Sequence, residues 1–348
     1  MTASIDDYKS IESDGGRTLI LRRSIERIAE LDTLIFDVDG VLLDISDSIQ
    51  HVHALAAERY FGRLGWTNCV GLVSPEDVDS FKLAGGFNDD WDTAAAWTLL
   101  YLFKSSRFHC ADGAMLAAHE PTTSQFTAEL ARIGGGLPTA FDLIRETCDP
   151  SEWADVESDF DRPLLERIFK ESYSGDLCPE VYGFEPEFVT GPGMIRRDKP
   201  ILERGLLPRS VRLGIATGRT SGEAAAALRI HGWQDLFSSE TIVTEDDGFK
   251  KPDPRILELA VARSGARVAI YVGDTPDDLR TVKRYSETHV GMISCMVLTG
   301  FPDSRVQEAR RYFLDEEADI VADNVNTALS AIKLCIGGGA LCLAEERR

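Results

Sequence analysis

The sequence is short of basic charge: 37 Lys and Arg stand against 58 Asp and Glu, for a net charge of -21. A field of that sign opposes a nucleic-acid backbone and an anionic lipid surface, so neither is expected as a partner. Paired cysteines are lacking too. The seven (Cys69, Cys110, Cys148, Cys178, Cys295, Cys335 and Cys342) are odd in number and widely spread. They form neither a CxxC pair nor a Cys/His cluster, which argues against a disulfide framework and a zinc site and points to a reducing, cytoplasmic compartment. Nor is there a long apolar run. The most apolar stretch, Ala94 to Phe103, falls short of the ~20 residues that span a bilayer. The opening residues MTASIDDYKS lack the basic, apolar start of a secretory signal.

At 348 residues and 43% hydrophobic content, the chain can bury a real core and suggests about two domains. Short β-rich runs occur at 33–38, 211–217, 241–245, 268–274, 294–299 and 319–323, with helical patterns between the later ones. Continuous apolar strands alternating with helices predict a parallel sheet covered on both faces. The long stretch between the first two runs shows helical periodicity instead, with helices expected at 47–63, 90–104, 123–133, 138–147 and 161–172. The expected organisation is an α/β core of residues 31–44 and 201–330, interrupted by a helical insertion at 45–200. Residues 1–30 read as a polar N-terminal extension with one amphipathic helix, and 331–348 as a Gly-rich tail. No internal repeat is apparent.

The chemistry-bearing residues cluster where these strands run out. The first strand ends in Asp37-Val38-Asp39-Gly40, two carboxylates at the edge where open α/β sheets bind ligands. Alone, such a turn is more often a solvated loop or a cap; an EF-hand is excluded because Gly40 comes too early and no Glu closes a twelve-residue loop. The second strand ends in Thr217-Gly218-Arg219-Thr220, which offers a hydroxyl and free N–H groups to an anion, or simply an N-cap. Lys250-Lys251-Pro252 precedes a further helix, and the proline imposes an extended backbone on Lys251; a surface lysine pair is the plainer alternative. The fourth strand ends in Gly273-Asp274-Thr275-Pro276-Asp277-Asp278. Several carboxylates converging at one edge would repel one another unless a hard cation lay among them.

In order and internal spacing these four segments resemble the motifs of the haloacid dehalogenase superfamily: DxDG, a Thr after the second strand, a Lys before proline, and GDxxxD. A helical insert directly after the first motif is similar to the C1-capped subfamily, which includes phosphoglycolate phosphatase-like and β-phosphoglucomutase-like enzymes. The resemblance covers residues 31–44 and 207 to about 325. It implies a Rossmann-like parallel-sheet core with a large inserted α-helical cap, acting as a Mg²⁺-dependent phosphatase on a small phosphorylated metabolite. By the same resemblance Asp37 is the nucleophile that forms an aspartyl-phosphate and Asp39 the general acid/base. Thr217, Gly218 and Lys251 hold the phosphoryl group, and Lys250 is the fallback for Lys251. The metal falls to Asp37, the Asp39 carbonyl and Asp274, with Asp278 orienting a metal-bound water or Lys251; Asp277 matches a variable position and is expected to face solvent. An acid at Asp39 favours C–O–P cleavage over carbon–halogen or carbon–phosphorus cleavage.

In the insert, Gly85 and Gly86 are expected to end a helix begun near Pro75, and Asn88 or Asp89 to cap the next one. The polar turn that remains, with Lys82, Asn88 and Trp91, reads either as a contact for the non-phosphate part of the substrate or as plain capping. Two other readings are open: a β-phosphoglucomutase-like phosphotransferase, and a regulator that binds a phosphometabolite without turnover.

Overall fold

In the computed structural model, residues 4–87, 89–302 and 304–337 are described. The chain divides into two compact units, one of residues 1–45 with 199–348 and the other of residues 46–198.

The first unit is built on an eight-stranded sheet. Its strands are β1 (Tyr8–Ser13), β2 (Gly16–Leu21), β3 (Thr33–Phe36), β6 (Arg212–Ala216), β7 (Ile242–Val243), β8 (Ala269–Gly273), β9 (Met292–Val297) and β10 (Ile320–Ala322); β4 (Leu43–Asp44) and β5 (Lys199–Pro200) form a separate antiparallel pair. The order across the sheet is β1-β2-β10-β9-β8-β3-β6-β7. From β10 to β7 the strands run parallel. β3, β8 and β9 are buried along their whole length, as strands covered on both faces must be. After β3 the chain proceeds to β6 and β7 on one side, then returns to β8, β9 and β10 on the other. The order reverses between β3 and β8, and the loops that follow these strands part there to leave a crevice.

The N-terminal residues correct the sequence reading. Instead of a polar extension, they form a hairpin in which β2 pairs antiparallel with β10 and so widens the sheet. Leu19, Ile20 and Leu21 are buried, and Asp14-Gly15 fills the two-residue connection between Ser13 and Gly16. Asp-Gly between strand-forming residues is a hairpin signal that was legible in the sequence. The tail assignment is corrected as well: residues 331–336 complete a helix over Val325–Ile336 whose Ala331, Ile332 and Cys335 are buried. Residues 338–348 lie outside the described part.

The second unit is helical. Its longest helix, Asp90–Phe108, is buried almost all round, because an apolar run with no polar face can be stable only inside a bundle. Asp89 caps it by accepting from the Trp91 N–H at 2.8 Å, as expected of Asn88 or Asp89. Gly85 ends the preceding helix, Pro75–Ala84, with φ of 84°. The core holds Trp97, Phe61, Phe81 and Phe103, each worth about 1.5–3 kcal/mol when fully buried. Among the described residues no helix is long and apolar enough to cross a membrane.

His53 is fully buried in this core. Its Nδ1 accepts from Trp97 Nε1 at 3.2 Å, and its Nε2 lies 3.1 Å from Asp90 Oδ1, which Lys82 approaches to 3.7 Å. An indole can only donate, so Nδ1 carries no proton and the ring is neutral. Burial holds the His53 pKa below its ordinary value, against the pull of Asp90. The neutral ring therefore contributes stability that is complete above pH ~6.5 and is lost as pH falls towards the lowered folded value. Between pH 7 and 5 the melting temperature should fall more steeply for the natural chain than for His53→Gln. Parallel profiles in thermal melts would show that His53 does not carry this dependence.

Candidate active site

Pairing register brings the three strand ends to one level. Phe36 lies opposite Ile215 of β6 and Val272 of β8, so Asp37 emerges beside the ends of both neighbours. The Asp37 N–H donates to Val272 O at 2.8 Å and the Thr217 N–H to Val243 O at 3.0 Å, which continues the ladders one residue into the functional loops. Asp274 follows Gly273 directly.

Lys251 joins these loops. Its Nζ lies 2.6 Å from Asp37 Oδ2 and 2.7 Å from Asp278 Oδ1, with its side chain 10% exposed. Lys250 is 58% exposed and pairs with Glu245 at 2.8 Å, so the register needs no shift. The second oxygen of Asp37 accepts from the Val38 N–H at 2.7 Å. Burial pushes the Asp37 carboxyl up, to about 6, against the opposing pull of Lys251. The two carboxylates beside Lys251 outweigh its own desolvation and raise its pKa. At neutral pH this gives a carboxylate facing an ammonium.

Asp278 is fully buried. Its Oδ1 accepts from Tyr271 Oη at 2.8 Å and from Lys251; its Oδ2 accepts from Asp274 N, Thr275 N and Thr275 Oγ1 at 3.2, 2.9 and 2.7 Å. A carboxylate so fully used orients Lys251 and the Asp274 loop rather than offering a free lone pair. Tyr271 extends the network to the Ala216 carbonyl, 3.2 Å away and just before Thr217. Asp277, expected to face solvent, is buried and paired with Arg280 at 2.7 Å, because the first turn of its helix turns it inward.

Thr217 is buried, and the cap of the following helix is Thr220, so Thr217 is not the plain N-cap. Gly218 has open space beside it. Arg219, which the sequence reading passed over, reaches across to Asp39. Its Nε and Nη2 lie 2.9 and 2.5 Å from Asp39 Oδ1, and its side chain is 5% exposed. Arg219 stands two residues after Thr217, but no local signal says that it faces a residue 180 positions earlier. Lys82 belongs to the helical unit, where its Nζ lies 3.7 Å from Asp90 Oδ1. Asn88 lies outside the described residues. A cavity of about 810 Å³ lined by residues such as Ala224, Phe237 and Arg263 includes none of Asp37, Asp39, Asp274 and Asp278 in its lining.

Asp37, Asp274 and Asp278 each present an oxygen within 4.8 Å of the others, a donor set suited to a hard divalent cation. Asp278, on its hydrogen bonding, is the least available of the three. Four carboxylates (Asp37, Asp39, Asp274 and Asp278) face the cations Lys251 and Arg219. Asp274 is seated between two glycines: a Cβ at Gly40 would lie 2.0 Å from its Oδ2 and one at Gly300 2.1 Å. The backbone therefore closes on this carboxylate from two loops.

The haloacid dehalogenase-like hydrolase family matches residues 199–285. Among solved structures, a phosphatase, Tt82 of Thermococcus thioreducens, is 26% identical, with a TM-score of 0.53 over 88% of this chain and 100% of that one. A structural genomics target is 17% identical, with a TM-score of 0.58 over 87% of this chain and 99% of that one, a likeness of fold. Among curated proteins, an imidazoleglycerol-phosphate dehydratase of Phytophthora nicotianae is 23% identical over 264 residues, 76% of this chain. The match spans 44% of that protein's length.

Gly300→Ala tests the seat of Asp274. The added methyl must push the carboxylate aside, while the backbone of Gly300 itself does not require glycine. Isothermal titration with Mg²⁺ should show affinity at least ~10-fold weaker, about 1.4 kcal/mol. Unchanged affinity would place the cation elsewhere.

Proposed function

We propose, from the premise that this chain is a haloacid dehalogenase-like hydrolase, that it is a Mg²⁺-dependent phosphatase acting on a small phosphate monoester through an aspartyl-phosphate. The observation that carries the reading is the pairing of buried Asp37 with Lys251 at the sheet's switch point, beside an acidic cluster in need of a cation.

A bound Mg²⁺, held by Asp37 and Asp274, would supply the positive charge that lets a phosphate dianion enter so acidic a site. In the first step an Asp37 carboxylate oxygen forms a bond to phosphorus while the ester P–O bond breaks. Asp39 gives a proton to the departing oxygen. In the second, Asp39 takes a proton from a water that attacks the phosphorus, which frees inorganic phosphate and restores Asp37. Lys251 neutralises charge on the phosphoryl oxygens, and the Thr217 hydroxyl with the N–H groups that follow it receives them. Asp278 and Tyr271 hold Lys251 and the Thr217 loop in place.

The alternatives meet the same chemistry. A phosphotransferase would pass the group from Asp37 to a second hydroxyl compound instead of water. A regulator that only binds has no need of the nucleophile, the acid and the lysine together. The substrate panel should include an imidazole-bearing glycerol phosphate, because the dehydratase similar to this chain is named for one.

With Mg²⁺ the purified chain should release inorganic phosphate from an aryl phosphate and from at least one metabolite ester; EDTA should abolish both. Accumulation of an isomeric phosphate in place of free phosphate would favour the transferase, and undiminished turnover in chelator would reject the mechanism. Asp37→Asn should remove turnover and covalent phosphoryl labelling together, whereas Asp39→Asn should slow turnover ~10²–10⁴-fold, the usual contribution of a general acid/base. A near-normal kcat in Asp37→Asn would overturn the nucleophile.

A further inference from the structure

Asp39 is held asymmetrically. Two donors from Arg219, Nε at 2.9 Å and Nη2 at 2.5 Å, go to Oδ1. Among the described residues Oδ2 accepts no hydrogen bond, and the side chain is 34% exposed. Arg219 is anchored at the backbone as well: its N–H donates to Thr217 Oγ1 at 3.3 Å and its carbonyl accepts from the Glu245 N–H at 3.0 Å. The helix capped by Thr220 starts directly afterwards. A buried guanidinium on a fixed backbone has little freedom, and two charge-assisted bonds to one oxygen pin that oxygen, which sets the rotation of the carboxylate about its Cβ–Cγ bond.

We propose that Arg219 is a positioning residue that orients Asp39, clamping Oδ1 so that Oδ2 is the oxygen that hands its proton to the leaving group. This rests on the phosphatase reading above. Two simpler roles compete with it. Arg219 could serve as charge balance, in which case lysine would replace it, or it could bind the phosphoryl group itself, in which case every substrate would suffer alike.

The test uses the full chain with Mg²⁺ and compares Arg219→Ala, Arg219→Lys, Asp39→Asn and the double variant Arg219→Ala/Asp39→Asn. Each is assayed on p-nitrophenyl phosphate, whose leaving group needs little protonation, and on an alkyl phosphate, whose leaving group needs much. The parameter is kcat/KM, which reports on the first P–O cleavage. Arg219→Ala should lower it at least ~10-fold for the alkyl ester and under ~3-fold for the aryl ester. Inhibition by inorganic phosphate should stay within ~2-fold. Arg219→Lys should recover little of the alkyl rate, because a single ammonium cannot reproduce the two-donor clamp. The double variant should be no slower than Asp39→Asn alone.

Equal losses on both esters with weakened phosphate inhibition would overturn the proposal in favour of phosphoryl binding. Full recovery in Arg219→Lys would overturn it in favour of charge balance, and losses that multiply in the double variant would show that the two residues act independently. If the natural chain cleaves no phosphate ester, the phosphatase reading fails. The orienting role is then decided by crystal structures of the natural chain and Arg219→Ala: a reoriented Asp39 carboxylate supports it, an unmoved one overturns it.

Discussion

The Lys251 ammonium between Asp37 and Asp278 is the contact on which the rest of the site depends. Two buried carboxylates side by side would each favour protonation, and a protonated carboxyl is no nucleophile. One cation between them opposes this for both, although burial still leaves the Asp37 carboxyl raised, to about 6. Desolvation makes such a pairing costly to assemble and costlier to break: removing one partner of a buried pair typically costs about 3–5 kcal/mol. Asp278 in turn is saturated by Tyr271 and the Thr275 turn, so Lys251 is held from behind. Its position is set by the core of the sheet and not by whatever enters from solvent.

Topology then converts one fixed lysine into a site. The chain leaves β3 in one direction and returns to β8 in the other, which parts the loops after these strands. Asp37 and Asp274 occupy the two sides of the gap, and Tyr271 on β8 reaches the carbonyl that precedes Thr217 on the far side of β3. Glycines at positions 40 and 300 let two loops close on Asp274. Preorganisation of this kind means that little reorganisation remains for the moment of reaction.

The helical unit obeys a separate logic. Its long central helix is apolar all round and would be unstable in water by itself, so the surrounding helices exist to cover it. Inside it Trp97, His53 and Asp90 form one chain of polar contacts. Gly85 stops one of its helices and Asp89 caps the next.

Much of the core was legible in the sequence because its signals are local. Apolar runs mark strands; Asp, Thr or Gly at their ends marks the loops; and the four motifs sit at those ends for chemical reasons. The inward turn of Asp277 and the clamp of Arg219 on Asp39 were not legible. Each depends on which way a side chain points once strands distant in sequence lie side by side, and register between strands is a property of the folded sheet. The N-terminal hairpin stands between the two cases. Its Asp-Gly turn was readable, but its partner, β10, lies some 300 residues away. The sequence by itself determined the fold class and the set of reactive groups, because strand periodicity and residue chemistry are written in short windows. Only tertiary structure decided which carboxylate meets which cation, because that depends on long-range pairing and burial.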